Sequence, residues 1–314
     1  MAKFAGGSTY NFALSGNQAN GFFIPEIYSK KVQIALRKAA VAEAVCNTDY
    51  MGEISSFGDT VNIIKEPQIA VADYTRGLAV TSTDLTDQEL VLTVDQAKSF
   101  SFKIDDLEKR FSHVNFQAIA ADNAAYALRD AMDSNILAAI SAGATATTGM
   151  GTTSTPIDIG FGSGEVDPLN QMSLAAKELD EANAPEDGRW FVAAPEWYNA
   201  LSNSASKLLS VDFNAGQGSI RNGLVASGLL RGFSMYKSNN LPTNDLSGAS
   251  PAGSATAPEA LFGHMSSTAA ASSMNKVETV RDTGTFSDIV RGLMVWGRKV
   301  LRPEVAGKII YTID

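Results

Sequence analysis

The stretch LDEANAPEDGRWFVAAPEWYNAL, residues 179–201, joins a helix end, a turn, a strand and a new helix within a short span. The Pro-Glu-Asp-Gly sequence at 185–188 is typical of a turn. The apolar run RWFVAA that follows has the length and composition of a buried strand. Pro195 and Glu196 then occupy positions that suit a first helical turn. The stretch predicts a compact helix–turn–strand–helix unit without a catalytic motif.

On either side of this unit the sequence alternates between helix and strand patterns. An amphipathic helix is predicted over 169–184, and GLVASGLLRGFSMYKSNNLP, residues 223–242, predicts a short helix, a Gly turn and a strand. The Ser-, Ala- and Gly-rich residues 243–260 predict a surface loop. The closing residues 287–314 contain further strands with no nearby partner, so we expect them to return to the first part of the fold.

Residues 60–95 predict a long two-stranded ribbon with a polar tip. Leu90, Leu92 and Val94 lie at every second position, which is the period of a half-buried strand. An isolated ribbon is at best marginally stable in water. We therefore expect this ribbon to pack on a neighbour.

Residues 115–141 carry the strongest helix pattern, and at 1.5 Å per residue they would span about 40 Å. Apolar residues recur three or four positions apart along one stripe: Ala118, Ala121, Ala125, Leu128, Met132, Ile136 and Ala139. The Gly-rich residues 142–168 predict a linker or loop. They lack the Gly-Lys-Ser/Thr sequence and the strand-to-helix context of a nucleotide-binding loop.

The N-terminal part combines a polar segment with a basic helix. Residues 1–22 are rich in Gly, Ser and Asn with scattered aromatic residues, which fits either an arm lying on another subunit or a frayed terminus. Pro25 opens a predicted helix over 25–45. Its basic residues form either a solvated face or a contact with a polyanion: Lys30, Lys31, Arg37 and Lys38.

The composition predicts a folded protein made in a reducing cytoplasm. Hydrophobic residues make up 45% and charged residues 19% of the 314 residues. The net charge of −9 disfavours a dedicated nucleic-acid binder. A single cysteine, Cys46, excludes an intrachain disulfide. Neither a signal peptide nor a run of about 18 apolar residues is present.

The candidate chemical groups all have structural explanations. His113 and His264 lie at element boundaries, and the sequence has no Gly-x-Ser-x-Gly elbow and no zinc spacing. The pairs at 105–106 and 186–187 suit caps and turns. The three tryptophans are expected in the core: Trp190, Trp197 and Trp296. We predict no catalytic, cofactor or metal site, although an enzyme with an unrecognised site remains the alternative.

Three phrases, taken in order, resemble the major capsid proteins of tailed bacteriophages. They are AAKELDEANAPEDGRWFVAAPEWYNAL at 175–201, GLLRGFSMYKSNNLP at 228–242 and FSDIVRGLMVWGRKVLRPEVAGKII at 286–310. The resemblance extends over nearly the whole chain and implies the α+β Hong Kong 97-like fold. The unit at 179–201 would then be a wedge placed five or six times round a capsomer axis.

The resemblance assigns a part of that fold to each segment. These parts are an N-terminal arm (1–24), a peripheral-domain helix (25–51), an extended loop or E-loop (52–100), the peripheral domain with its spine helix (101–167), an axial domain (168–285), and C-terminal strands returning to the peripheral domain (286–314).

The implied function is a shell protein that self-assembles as hexamers and pentamers around the double-stranded DNA genome of a tailed phage. The implied partners are other copies of the chain, a separate scaffolding protein, a portal protein at one vertex and DNA bound without sequence specificity. A decoration or cement protein is left open, and no membrane is involved. The implied location is the virion capsid, after synthesis in the host bacterial cytoplasm. The alternative is an encapsulin-like nanocompartment shell enclosing a cargo enzyme.

Two sets of residues are candidates for contacts. A basic patch facing the lumen would contain Lys30, Lys31, Arg37 and Lys38. Inter-subunit contacts of the E-loop would involve Lys65, Asp73, Tyr74 and Arg76. Some relatives crosslink their shells through an E-loop lysine. Because Lys65 is the only lysine between Ile54 and Ala97 and nothing marks it as activated, we predict no crosslinking.

Overall fold

The computed structural model of the chain describes residues 37–50, 60–65, 69, 71, 73, 75–77, 88–106, 116–145, 149–203, 230–245 and 256–313. The helices are α1 (Ala42–Val45), α2 (Phe116–Gly143), α3 (Pro168–Glu181) and α4 (Pro195–Leu201). The strands are β1 (Thr60–Lys65), β2 (Gln88–Thr93), β3 (Gln96–Asp105), β4 (Ile157–Asp158), β5 (Arg189–Ala193), β6 (Ser234–Lys237), β7 (Thr243–Asp245), β8 (Thr256–Pro258), β9 (Ala260–His264), β10 (Thr268–Arg281), β11 (Ser287–Val300), β12 (Ala306–Ile309) and β13 (Tyr311–Thr312).

A four-stranded sheet in the order β12-β9-β5-β6 forms the middle of three layers. Every residue of β5 is buried, which fits the unbroken apolar run from Trp190 to Ala193 that follows Arg189. Trp190 and Val192 pack into a core shared with α2. Phe191 and Ala193 face a second core that α3 and α4 line. The apolar strand of the 179–201 unit is therefore buried between helices on both faces.

One arginine fixes the turn that joins α3 to β5. Arg189 is 4% exposed. Its Nε donates to the Pro185 carbonyl at 2.8 Å, and its Nη2 donates to the Ala184 carbonyl and to Asp180 Oδ1, both at 2.7 Å. Gly188 has a φ of 82°, a left-handed conformation that glycine adopts without strain. Arg189 thus holds the turn through partners within the unit, while His264 and Met265 bond the Asp187 and Gly188 carbonyls from β9 and the residue after it.

The predicted long helix is confirmed as α2, whose 28 residues span about 42 Å. Met132, Ile136 and Ile140 lie one turn apart and are at most 3% exposed. Trp296 of β11 packs into the same core and donates its Nε1 hydrogen to Asn135 Oδ1 at 3.2 Å. The helix therefore lies between the four-stranded sheet and β11.

A three-stranded antiparallel sheet has the order β10-β11-β3. β11 pairs with β10 as a long hairpin and with β3 from Ser287 opposite Asp105 to Trp296 opposite Gln96. The first of the closing strands thus lies beside an early strand. The next, β12, pairs with β9, and β13 pairs with β4. The segment boundaries that the resemblance assigns remain predictions.

The predicted ribbon is confirmed where β1 and β2 pair, from Thr60 opposite Thr93 to Lys65 opposite Gln88. Its base packs on β10 through Leu92, which is fully buried against Ala269 and Ala271.

The structure corrects three sequence interpretations. Residues 37–40 are not helical, because the N–H groups that would continue a helix are bound elsewhere, as described below. The predicted linker 142–168 contains β4, which pairs in parallel with β13, a partner more than 150 residues away. The predicted surface loop 243–260 contains the paired strands β7 and β8. The strands in residues 142–168 and 243–260 each form by pairing with another segment, and composition does not reveal such pairing.

Candidate assembly surfaces

The two faces of the ribbon differ in burial. On the inner face, Leu92 lies opposite Val61 and is fully buried. On the outer face, the side chain of Ile64 is 76% exposed and that of Val91 is 40% exposed. In the connection that follows β1, Ile69 and Val71 are 75% and 98% exposed. A ribbon with apolar residues on its solvent face is typical of a surface that another protein covers.

Three of the four predicted E-loop contact residues are described. Lys65 ends β1, and Asp73 and Arg76 lie in the connection to β2; all three are exposed. Tyr74 lies outside the described residues. The charged residues that the sequence singled out therefore share this part of the ribbon with exposed isoleucine and valine. That apolar contribution was missed, although the sequence IIKEPQIAV at 63–71 carries it.

The predicted basic patch is engaged with the long helix where the structure describes it. The Arg37 guanidinium pairs with Asp122, donates to Asn123 at 3.2 Å and lies 5.3 Å from the ring centre of Tyr126. The hydrogen bond from Arg37 holds the pKa of the Asp122 carboxyl below its ordinary value. The backbone N–H of Lys38 donates to the Tyr126 hydroxyl, and its side chain is exposed.

The other two members of that predicted patch, Lys30 and Lys31, lie outside the described residues. The orientation of the patch toward a lumen thus remains a prediction.

A buried carboxylate anchors the same segment to α2. Asp133 is 2% exposed. Its Oδ1 accepts hydrogen bonds from the backbone N–H groups of Val41 and Ala42, both at 2.7 Å. Its Oδ2 accepts from Asn240 Nδ2 at 2.9 Å. Asp133 therefore caps α1 from another helix and links it to the segment after β6. This role of Asp133 was not predicted from the sequence, since its partners are distant in the chain.

A second buried carboxylate joins α2 to the four-stranded sheet. Glu259 is 2% exposed and accepts a hydrogen bond from the Ser141 hydroxyl of α2. It also accepts from Asn244 Nδ2 at 3.0 Å and pairs with Lys308 of β12 at 3.4 Å. Such a buried group with partners on three elements fixes their mutual positions. This role of Glu259 was not predicted from the sequence, since its partners lie on separate elements of the fold.

The far end of the β10–β11 hairpin carries ion pairs and exposed apolar side chains. Arg281 pairs with Asp106 and Asp288, while Asp282 accepts hydrogen bonds from Lys103 and Thr285. These bonds, with Lys103 foremost, hold the pKa of the Asp282 carboxyl well below its ordinary value.

Beside these charges, Phe286 is 81% exposed and Val277 is 60% exposed. This surface was not predicted from the sequence. The Asp-Thr-Gly-Thr turn at 282–285, between apolar alternating residues, is the signal that could have revealed it.

The groups considered for catalysis have structural roles where the structure describes them. Cys46 is 1% exposed, and burial raises the pKa of its thiol to about 12. His264 ends β9, and its ring bonds the Ser266 hydroxyl and the Asp187 carbonyl, both at 2.8 Å. The three tryptophans are in the core, as predicted. His113 lies outside the described residues.

Among the described residues, no group of three or more His, Cys, Asp or Glu side chains is placed to hold a metal ion. No described helix is long and apolar enough to cross a membrane.

Comparisons with solved structures identify the fold. A protein of Mycobacterium phage Che8 shares 29% identity over 93% of this chain and 98% of its own, with a TM-score of 0.78. The capsid of the cyanophage P-SCSP1u shares 20% identity over the full length of both chains, with a TM-score of 0.73. The capsid of Ralstonia phage GP4 shares 13% identity over 98% of this chain and 99% of its own, with a TM-score of 0.61. The chain has the Hong Kong 97-like α+β fold of phage capsids.

The sequence identifies the family. A model of the family described as phage capsid protein matches residues 87–309, which is more than half of the chain. A search of curated protein sequences gives no match. The chain belongs to the phage capsid protein family: it is a structural protein of a capsid shell, located in the virion capsid. These matches do not favour the nanocompartment alternative.

Proposed function

We propose that the chain assembles as hexamers and pentamers into the icosahedral shell that encloses the double-stranded DNA genome of a tailed phage. The observation that carries this proposal is the outer face of the ribbon, where Ile64 and Val91 are exposed; Ile69 and Val71, in the connection that follows β1, are exposed as well. Each of these side chains gains about 1.5–3 kcal/mol when it is fully buried. A neighbouring copy that covers them supplies that gain at every contact in the shell.

Exposed charged residues orient the same contact. Lys65, Asp73 and Arg76 are exposed in the same part of the ribbon. Charges at the rim of an apolar contact select the register between partners more than they add affinity. In this proposal the ribbon is the E-loop, its apolar side chains contact the next subunit, and the three charged residues fix where it lies.

The remaining parts of the proposal follow the segments. Residues 168–285 form the axial domain, whose wedge at 179–201 is repeated round the capsomer axis. Residues 25–51, 101–167 and 286–314 form the peripheral domain. The basic residues Lys30, Lys31 and Lys38 face the packaged DNA, with Arg37 serving to hold their segment on α2. A separate scaffolding protein, a portal at one vertex and synthesis in the host cytoplasm complete the assembly route. A decoration protein is compatible with it.

The ribbon is tested by placing a charge on its outer face. Ile64→Asp should prevent shell formation, because burying an unpaired carboxylate costs far more than the contact supplies. Ile64→Val keeps the apolar surface and should assemble. Electron microscopy of both variants scores shells, and circular dichroism of the soluble protein checks that Ile64→Asp is folded. Normal shells from a folded Ile64→Asp variant would contradict the role of the ribbon.

A further inference from the structure

The outer edge of β10 is covered at one end and open at the other. Near the start of β10, the Asn47 N–H donates to the Thr268 carbonyl at 2.8 Å. The Ala270 N–H in turn donates to the Asn47 carbonyl at 3.1 Å. Further along, over 276–281, β10 is the last strand of its sheet among the described residues. A long open strand edge is a template for pairing with another chain.

The charges of the side chains on this open edge are complementary to those on the same edge of a second copy. In an antiparallel pair of two β10 strands centred on Val277, Lys276 of each copy lies opposite Glu278 of the other, and the two valines meet. Sliding one strand by two residues, the smallest slide that keeps the same side chains on each face, places Lys276 against Lys276 or Glu278 against Glu278. Like charges directly opposite each other are destabilising. The charges therefore select the Val277-centred register.

Exposure agrees with this register. The side chains of Lys276 and Glu278 are 66% and 33% exposed, and Val277 is 60% exposed. Within one copy, Lys276 lies 3.2 Å from Glu278, and Arg291 pairs with the same carboxylate. Glu278 thus stands in an excess of positive charge, and all three groups remain accessible to a second strand.

The symmetry of this contact suits a shell. Two identical strands that pair antiparallel in one sheet are related by a twofold axis perpendicular to that sheet. The axis keeps equivalent faces on the same side, so both copies of α2 cover the same face of a continuous six-stranded sheet. A closed wall requires neighbouring subunits to present the same surface outward.

We propose that the open edge of β10 pairs with the same edge of a second copy about a twofold axis at Val277, so that residues 276–278 of the two copies lie opposite each other and residues 279–281 of each copy lie opposite 273–275 of the other. This inference rests on the proposed shell, and it adds a contact separate from the ribbon. Its partner is a second copy of this chain.

The contact is tested by a disulfide in assembled shells. Val277→Cys should give disulfide-linked dimers on a non-reducing gel, since directly opposite Cβ atoms lie about 5 Å apart. Thr279→Cys is the matched control, because its two copies lie about 14 Å apart in this register. The native Cys46 is 1% exposed and does not compete.

The outcomes separate this inference from the proposed function. Dimers from Val277→Cys but not from Thr279→Cys support the contact. Intact shells in which Val277→Cys stays monomeric overturn it and leave the shell function standing. A wild-type chain that forms no shell overturns both.

A charge exchange tests the same register without a disulfide. Lys276→Glu and Glu278→Lys each place like charges opposite each other in homotypic pairs, so each should raise the concentration needed for assembly roughly tenfold. An equal mixture of the two variants restores both attractive pairs, because each strand now faces the opposite charge. Assembly restored by mixing supports the contact. A defect that persists in the mixture indicates an effect within one chain and overturns the proposal.

Discussion

At the scale of single residues, buried polar groups hold this fold together at points that the sequence does not mark. Asp133 caps α1 and bonds Asn240, although it reads as an exposed helix residue. Glu259 gathers partners from α2 and β12 within a segment whose composition predicts a loop. Both carboxylates bring together segments about 100 residues apart or more, so their role depends on the tertiary fold.

Replacing the Asp133 carboxylate should destabilise the subunit. Asp133→Asn keeps one acceptor oxygen but turns an amide toward the Nδ2 donors of Asn240. The expected loss is about 2 kcal/mol in the free energy of unfolding, since hydrogen bonds to a charged group are lost in a buried site. Urea denaturation of the unassembled subunit measures it.

The matched control for this substitution is Glu181→Gln. It removes the same charge from an exposed pair with Lys177 and should change stability by less than about 0.5 kcal/mol. Equal stability of the two variants would show that Asp133 does not anchor α1.

Cys46 should be unreactive in the folded subunit and should make stability depend on alkaline pH. Its pKa is raised from 9.0 to about 12 by burial, so the folded state favours the neutral thiol. The contribution is complete below pH 9.0 and is lost as the pH rises toward 12. Iodoacetamide at pH 8 should label the urea-unfolded chain rapidly and the native subunit very slowly. Rapid labelling of the native subunit would mean that the core around α1 opens readily.

At the scale of elements, the contact of the ribbon base with β11 requires a residue without a side chain at position 297, which is Gly297. A Cβ on Gly297 would lie 2.4 Å from the Thr93 carbonyl oxygen and 2.9 Å from the Val94 Cα. These are backbone atoms at the end of β2, so they cannot move aside without shifting the strand. The position of the ribbon on the sheet is therefore set by this glycine.

Gly297→Ala should cost about 1–3 kcal/mol of stability, the usual range for overpacking. Gly284→Ala is the control, since its nearest neighbour in the same hairpin is Asp282 Oδ1 at 3.8 Å. Thermal unfolding of both unassembled variants compares them. Equal melting temperatures would argue against tight packing of the ribbon base.

The elements that the sequence predicts well are those whose signal is local. Alternation at 90–94 predicts β2, and the spacing of Met132 and Ile136 predicts α2, because the burial of each depends on its own face. The helix predicted through 37–40 fails because Asp133 binds N–H groups near its expected end, those of Val41 and Ala42. β4 was not predicted, because its two residues form a strand only by pairing with β13.

The candidate surfaces follow the same division. The charged residues of the ribbon and the basic residues near Arg37 could be selected from the sequence, since exposed charges are common and easily recognised. Val71 and Phe286 lie beside recognisable sequence signals, at 63–71 and at the 282–285 turn, but the extent to which their side chains are exposed shows only in the folded chain. Those residues carry the stronger indication of an interface.

At the scale of the whole molecule, the subunit carries apolar surface that is exposed to water in a single copy. Ile64, Val71 and Phe286 are each more than 70% exposed on the ribbon and the hairpin, away from the cores on either side of the four-stranded sheet. A subunit of this kind gains stability through many modest contacts repeated by symmetry. Family membership and the described surfaces thus agree on assembly as the purpose of the fold.

Electron microscopy of the full chain, produced together with the scaffolding protein of the same genome, tests this account most directly. The account predicts closed shells whose reconstruction shows fivefold and sixfold clusters, with the wedge at 179–201 nearest each axis and the outer face of the ribbon covered by a neighbouring subunit. A folded chain that stays strictly monomeric under these conditions would contradict it.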